Sequence, residues 1–282
     1  DGVKVDQVIT LRFPSYAVRH PRQVCWLNHT MREYYDLWDE FRARLSPQGR
    51  VKERVRRALI HAADRHFLRH NVYKLFAQSA EVQQRLEAWN GVESEVLHPP
   101  APPRPYRCDE YGDYLFFASR LVPLKRADLV LRAMGEPAAA AVRCVIGGEG
   151  PERDALERLA AELRLGDRVR FAGRLSEDAL VEHYARCRAV LFVPRREDYG
   201  FVTAEAFASR KAVITCADSG GPLEFVSDDR TGFVTAPEPA ALAVAMARLA
   251  ADKALAERLG GEAARIAAPL TWPNTIARLV VV

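Results

Sequence analysis

The sequence of residues 189–209 is AVLFVPRREDYGFVTAEAFAS, an apolar run followed by a polar turn and a helix-forming segment. The run Ala189–Val193 has apolar side chains for both faces, which is typical of a strand buried in a parallel sheet. Gly200 permits a tight turn before the helix. A strand, a turn and a helix in this order form the repeating unit of a parallel α/β sheet, whose ligands bind beyond the carboxyl ends of its strands.

The same unit recurs over residues 107–268, where short apolar runs alternate with segments of helical spacing. One of the predicted helices begins at Pro222. This alternation predicts a complete doubly wound domain. Residues 1–98 alternate in the same way but contain too few strands for a full domain. They therefore predict a partial Rossmann-like domain, and we expect an N-terminal segment before Asp1.

Five prolines lie between Pro99 and Pro105. Proline fits neither a helix interior nor a central strand. Residues 99–106 therefore predict a stiff linker between the two domains.

Composition excludes several classes of protein. The 282 residues are 49% hydrophobic and 28% charged, as in ordinary globular proteins rather than disordered or collagen-like chains. No apolar run reaches the roughly 18 residues of a membrane span. The net charge of +4 lies in residues 1–98 without a DNA- or RNA-binding signature, so no nucleic-acid partner is expected. Five scattered cysteines without a C-x-x-C motif favour a reducing cytoplasm.

Candidate binding groups follow the predicted strands. The amides of Phe201, Val202 and Thr203 would be free at a helix N-terminus and could bind an anion between Glu197 and Glu205. The alternative is two solvated glutamates that the helix dipole favours.

Two cations and two glycine-containing loops belong to the same predicted edge of the sheet. Arg120 and Lys125 follow the first strand of the second domain and could clamp a diphosphate. Residues 147–150 resemble a phosphate loop, although a tight turn is their default explanation. Residues 173–175 end a further strand, and all these loops would converge on one cleft.

In this order, the motifs resemble the C-terminal domain of retaining, GT-B-fold glycosyltransferases of family 4, the group 1 type. The motifs concerned are Ser119-Arg120 with Lys125, Gly147–Pro151, Phe171–Leu175, Glu197-x7-Glu205, Ser219–Gly221 and Leu270–Trp272. The resemblance covers residues 72–280. It implies two Rossmann-like parallel-sheet domains facing a cleft, with residues 269–282 forming a closing helix that returns to the first domain.

The resemblance also implies a reaction and its residues. A sugar would move from a UDP-, GDP- or ADP-sugar donor to an acceptor with retention of configuration, without an obligatory metal or other cofactor. Arg120 and Lys125 would bind the diphosphate, Glu197 the donor sugar and Glu205 the ribose hydroxyls. Further donor contacts would come from Gly148, Arg174, Leu175, Gly200, Phe201, Val202 and Thr203.

The first domain matches the family more loosely. His29 follows a predicted strand, where the family often has a histidine beside the donor sugar, so we count it among the catalytic candidates. The alternative is a structural histidine. Arg32 is a candidate for the acceptor site. The family's N-terminal glycine-rich loop has no counterpart here.

Residues 42–69 contain nine Lys or Arg residues and an apolar stripe formed by Val51, Val55, Leu59 and Ala62. Because relatives often work at membrane surfaces, this segment predicts peripheral association with an anionic membrane. The alternative is that the stripe packs on the core of its own domain.

Two other functions stay open from the sequence. One is a nucleotide-sugar epimerase on the same fold, which needs no acceptor. The other is a non-catalytic partner that binds a nucleotide sugar.

Overall fold

A computed structural model describes residues 5–281, which form an α/β protein with two parallel sheets. The described residues divide into two compact units. The first contains the chain up to Pro99 and from Trp272 onward, and the second is Pro100–Thr271. The predicted α/β class is confirmed.

The second unit is built on a six-stranded sheet. Its strands are β5 (Leu115–Ala118), β6 (Cys144–Gly147), β7 (Val169–Gly173), β8 (Ala189–Leu191), β9 (Val213–Cys216) and β10 (Gly232–Thr235). All neighbours pair in parallel in the order β10-β9-β8-β5-β6-β7. The order reverses between β5 and β8, which is where doubly wound sheets bind ligands.

An α-helix follows each of these strands except β9, and the side chains of β5, β6, β8 and β9 are buried on both faces. The helices are α4 (Ala127–Gly135), α5 (Arg153–Glu162), α6 (Glu177–Arg186), α7 (Phe201–Ala208), α8 (Pro239–Ala251) and α9 (Lys253–Ala267). On β5, Leu115 and Phe117 join one hydrophobic cluster, whereas Phe116 and Ala118 join another. This alternation with a period of two residues explains why the strand is apolar throughout.

The helix expected from Pro222 is wrong. Residues Gly221–Glu224 form a single 3-10 turn. The amides of Phe225 and Val226 both donate to the carbonyl of Pro222, and their side chains are buried. The Phe225 carbonyl oxygen then accepts from the Thr231 hydroxyl at 2.9 Å, and the Ser227 amide donates to the same hydroxyl at 2.8 Å, so the chain turns here instead of continuing as a helix.

The first unit has a four-stranded parallel sheet in the order β1-β2-β3-β4. Its strands are β1 (Val8–Arg12), β2 (Gln23–His29), β3 (Lys74–Ala77) and β4 (Glu95–Val96). Its helices are α1 (Trp38–Ala43), α2 (Pro47–His70), α3 (Ala80–Asn90) and α10 (Trp272–Leu279). Within residues 5–281 this sheet has two strands fewer than the second sheet.

The buried face of helix α2 combines two acidic and two apolar side chains. Its buried residues are Glu53, Ile60, Asp64 and Leu68. Val51, Val55 and Leu59 are instead 67%, 57% and 66% exposed. Packing of this apolar stripe on the core of its own domain is therefore wrong.

Hydrogen bonds from three tyrosines explain why the acidic side chains of α2 are buried. Tyr16 and Tyr35 donate their hydroxyls to Asp64 at 2.6 and 2.5 Å, and Tyr34 donates to Glu53 at 2.8 Å. Buried carboxylates require such partners, and these contacts set the rotation of the helix.

None of the helices in the described part of the chain has the length and apolar character needed to cross a membrane. The five cysteines are free thiols, and all except Cys108 are buried.

Candidate functional site

A cavity of about 570 Å³ lies at the carboxyl ends of β5 and β6 and beside the beginning of α7. It is therefore at the point where the strand order reverses, as expected for a ligand site of a doubly wound sheet. Its lining residues are Ala118, Ser119, Arg120, Gly147, Gly148, Glu149, Arg174, Leu175, Leu180, Val202 and Glu205.

Six residues that we predicted from the sequence line this one cavity. They are Arg120, Gly148, Arg174, Leu175, Val202 and Glu205. The structure thus brings together the loops after β5, β6 and β7 with the first turn of α7. No role was predicted for Ser119, Glu149 or Leu180, although the first two lie within the quoted motifs.

Gly148 holds the loops after β5, β6 and β7 together. Its φ of +135° is rare for other residues, and an added Cβ would lie 1.8 Å from the Ser119 carbonyl oxygen. Its amide donates to the Gly173 carbonyl oxygen at 2.7 Å. Glycine at this position therefore lets the loops after β5, β6 and β7 approach one another.

Glu149 fixes the loop that carries Arg174. Its Oε1 accepts from the Arg174 amide at 3.2 Å and from Arg153 Nη1 at 2.8 Å. These bonds leave the Arg174 side chain exposed at the rim of the cavity.

The beginning of α7 depends on Gly200. The φ of Gly200 is +84°, and a Cβ there would lie 2.5 Å from the ring of Phe192. The amide of Thr203 donates to the Gly200 carbonyl oxygen at 3.0 Å, so the expectation of three free amides is wrong for Thr203. The amides of Phe201 and Val202 have no acceptor among the described residues.

Glu205 is the most extensively bonded side chain of the cavity wall. Its carboxylate accepts from Arg104 Nη1 at 2.6 Å, from the Tyr106 hydroxyl at 3.2 Å and from the Tyr184 hydroxyl at 2.7 Å. None of these three partners was predicted from the sequence. Arg104 and Tyr106 lie about a hundred residues away along the chain, so no local pattern could have indicated them.

The two tyrosines remain hydrogen-bond donors over the ordinary pH range. Burial, and then the charge of Glu205, raises the pKa of both Tyr184 and Tyr106. Both hydroxyls therefore keep their protons and point them toward the Glu205 carboxylate.

Lys125 and Glu197 form an ion pair, and neither residue is among those lining the cavity. Lys125 Nζ also lies 5.4 Å from the centre of the Phe192 ring. The backbone of Glu197 pairs with Gly220, which ties the loop after β8 to the loop after β9.

Arg126, for which no role was predicted, anchors this same loop. Its guanidinium donates to the carbonyl oxygens of Val193 and Pro194 and makes two 2.8 Å bonds to Asp218. The position of Glu197 thus depends on an arginine beside Lys125.

His29 and Arg32 belong to the first unit. His29 is exposed at the end of β2, and its Nδ1 lies 2.9 Å from the Thr30 carbonyl oxygen. Arg32 is held by Asp36 through a 2.6 Å ion pair. Burial opposes ionisation of Asp36, but the hydrogen bond from Arg32 and the charges of Arg85 and Arg32 lower its pKa overall.

Among residues 5–281, no group of three or more His, Cys, Asp or Glu side chains is placed to hold a metal ion. That the reaction requires no metal stays a prediction.

The fold and cavity define an α/β protein with a small-molecule site at the switch point of a doubly wound sheet. Residues 104–266 match the family model described as glycosyl transferases group 1. Because this match spans more than half of the sequence, the chain belongs to that family.

Several curated relatives are D-inositol 3-phosphate glycosyltransferases. The one from Streptomyces avermitilis is 36% identical over 169 residues, covering 55% of this chain and 36% of the relative. The one from Frankia alni is 32% identical over 200 residues, covering 66% of this chain and 49% of the relative. The chain therefore spans half or less of the length of these relatives.

Solved structures confirm the predicted GT-B fold. Sucrose-phosphate synthase from Thermosynechococcus elongatus has a TM-score of 0.71 and 22% identity, covering 95% of this chain and 74% of that chain. Anabaena HepE in complex with UDP and glucose has a TM-score of 0.66 and 19% identity, covering 78% and 64%. At these identities the likeness concerns the fold alone.

Proposed function

We propose that this chain binds a nucleotide diphosphate sugar and transfers the sugar to an acceptor with retention of anomeric configuration. The observation that carries the proposal is the cavity, which is lined together by Arg120, by Val202 in the first turn of α7 and by Glu205. Membership of the group 1 family supports the same conclusion.

The chemistry of the wall suits the parts of such a donor. A volume of about 570 Å³ falls within the range of small-molecule sites. Arg120 and the free amides of Phe201 and Val202 can bind a diphosphate. Glu205 can accept from ribose hydroxyls, and Leu175, Leu180 and Val202 supply apolar surface for the rest of the nucleoside.

The proposed reaction proceeds on one face of the sugar. The bond from the anomeric carbon to the donor phosphate oxygen breaks while a bond to the acceptor hydroxyl oxygen forms, and the acceptor proton passes to the departing diphosphate. Arg120, Lys125 and the N-terminus of α7 would stabilise the charge that develops on that diphosphate. Glu197 would bind hydroxyls of the donor sugar, and His29 stays a catalytic candidate from the sequence.

Titration with different nucleotides, described below, identifies the base of the donor. UDP is the first candidate, because the neighbour from Anabaena is a complex with UDP. GDP and ADP are the other candidates. D-inositol 3-phosphate is the first acceptor to try, because the curated relatives carry it in their names.

Calorimetric titration of UDP, GDP, ADP and their glucose conjugates tests the proposal. We expect one nucleotide to bind selectively to the wild-type protein and to lose its affinity in Glu205→Ala. Glu257→Ala serves as the control, because Glu257 is an exposed residue of α9 paired with Lys253. Failure of all three nucleotides to bind would contradict the proposal.

Product analysis separates the enzyme classes. A transferase forms a new glycoside only when an acceptor is present, whereas an epimerase changes the sugar without one. Binding without either product would favour a non-catalytic partner.

We further propose that α2 contacts an anionic membrane surface. Val51, Val55 and Leu59 form an exposed apolar stripe, and Lys52, Arg54 and Arg65 are exposed on the same helix. Apolar side chains that enter the headgroup region, flanked by cations, suit an anionic lipid surface.

Sedimentation with phosphatidylcholine vesicles, with and without phosphatidylglycerol, tests the membrane contact. We expect binding that requires the anionic lipid and decreases in Leu59→Glu. The matched control is Val244→Glu, which changes an exposed valine on α8 of the second unit. The proposal would be contradicted if the protein bound equally to vesicles with and without phosphatidylglycerol, or if it bound to neither.

A further inference from the structure

The carboxylate of Glu205 has little hydrogen-bonding capacity left. Each carboxylate oxygen can accept about two hydrogen bonds. Oε1 already accepts from Arg104 at 2.6 Å and, at the longer distance of 3.2 Å, from Tyr106. Oε2 accepts from Tyr184 at 2.7 Å. One position on Oε2 is therefore open, whereas both positions on Oε1 are occupied.

A ribose diol that donates to both oxygens needs one open position on each. In the arrangement described here, Glu205 can accept only one of the two hydroxyls. One of the groups on Oε1 must leave before the second hydroxyl can bind.

Arg104 is the group best placed to leave. Tyr106, the other group on Oε1, packs against the hydrophobic cluster that contains Tyr184, and the two ring centroids are 6.4 Å apart, so its movement would disturb the core. Arg104 lies in the proline-rich segment, its Nε has no hydrogen-bond partner, and its Nη2 already lies 3.4 Å from the exposed carboxylate of Glu177. The guanidinium thus has a second carboxylate available toward the solvent.

We infer that Arg104 gates the ribose site: it occupies Glu205 Oε1 in the free protein and leaves when both ribose hydroxyls bind. This inference rests on the proposed function. Because Arg104 belongs to the segment that follows the boundary between the two units, donor binding would also release that segment from the cavity wall.

A fixed supporting role for Arg104 makes a different prediction. If Arg104 only positions Glu205, its loss should weaken or leave unchanged the binding of the diol. If Arg104 is a gate, its loss should increase the contribution of the two ribose hydroxyls to the binding affinity. The two roles therefore differ in how the affinity depends on the ribose hydroxyls.

The experiment compares UDP with 2′,3′-dideoxy-UDP by calorimetry in the wild-type protein, Arg104→Met and Arg107→Met. The readout is the dissociation constant of the dideoxy nucleotide divided by that of UDP. Loss of the positive charge of Arg104 affects both nucleotides and cancels in this ratio. We expect the ratio to rise about fivefold in Arg104→Met, as release of one ionic hydrogen bond would allow.

Arg107→Met is the matched control. Arg107 lies three residues further along the same segment and pairs with Asp109 and Glu182 rather than with Glu205. Its ratio should equal that of the wild-type protein. Tyr106→Phe removes the weaker bond to Oε1 and should raise the ratio in the same direction by less.

The outcomes separate the gate from the proposed function. An unchanged or lower ratio in Arg104→Met, with UDP still bound, would overturn the gate alone. If the first titrations select GDP or ADP, the matching dideoxy nucleotide is used. If none of the three nucleotides binds to the wild-type protein or to Arg104→Met, the proposed function fails and the gate with it.

Discussion

Lys125 and Glu197, 72 residues apart in sequence, form an ion pair in the second unit. Their side chains are 14% and 24% exposed. Both side chains are therefore partly buried, and each is the principal counter-charge of the other. If both act on a sugar donor, the diphosphate shares Lys125 with Glu197, so neither charge can be removed without changing the environment of the other.

Lys125→Ala is expected to lower the rate of sugar transfer by about 10²–10³, because a preorganised cation near the leaving group is lost. The measurement is release of nucleoside diphosphate from the sugar donor, with and without acceptor. Arg143→Ala, which removes an exposed arginine paired with Asp113, is the control. An unchanged rate in Lys125→Ala would contradict a role in leaving-group stabilisation.

The strands and the loops of the cavity could be predicted from the sequence for a physical reason. Parallel strands buried on both faces need continuous apolar runs, and their carboxyl ends lie along one edge of the sheet. Arg120, Gly148 and Glu205 follow three such runs, and they line one cavity in the structure.

Contacts that depend on distant side chains could not be predicted. The bonds from Arg104 and Tyr184 to Glu205 join a linker and a helix to the wall of the cavity. The rotation of α2 about its own axis could not be predicted either, because the apolar stripe of an amphipathic helix normally faces the core. Only the positions of Tyr16 and Tyr35 reveal why Asp64 is buried instead.

Gly148→Ala is expected to destabilise the second unit by at least about 3 kcal/mol, because it combines an unfavourable φ with a backbone clash. The added Cβ would lie 1.8 Å from the Ser119 carbonyl oxygen. Urea unfolding followed by circular dichroism measures the change. We also expect weaker nucleotide binding, since the clash would separate the loops after β5 and β6.

Gly261→Ala gives the opposite control. Gly261 lies in α9 and has open space where a Cβ would be added. Alanine there should stabilise the helix by up to about 1 kcal/mol. Similar losses of stability in the two variants would contradict the explanation given for Gly148.

Alkaline pH is expected to destabilise the first unit through Tyr16 and Tyr35. Burial, and then the charge of Asp64, raises the pKa of both hydroxyls. The folded state therefore keeps both protons above about pH 10, where tyrosines of the unfolded chain ionise. Their stabilising contribution is complete below that pH and decreases as the pH rises further, by up to about 1.4 kcal/mol per pH unit for each tyrosine.

Tryptophan fluorescence can follow this change, because Trp26, Trp38, Trp89 and Trp272 all lie in the first unit. Tyr35→Phe should reduce the dependence of the unfolding free energy on pH above pH 10. Tyr73→Phe, at an exposed position, is the control. A slope in Tyr35→Phe equal to that of the wild-type protein would show that Tyr35 is not one of the groups responsible.

Cys108 is expected to react with iodoacetamide before the other four cysteines. It is the partly exposed one, whereas Cys25, Cys144, Cys187 and Cys216 are buried. Burial raises the pKa of Cys25, Cys144 and Cys187 to about 12, so their reactive thiolates are scarce at neutral pH. Mass spectrometry of the intact folded protein should show a single adduct, and Cys108→Ser should show none over the same time. An adduct mapped first to a buried cysteine would mean that the second unit or the first opens locally faster than Cys108 reacts.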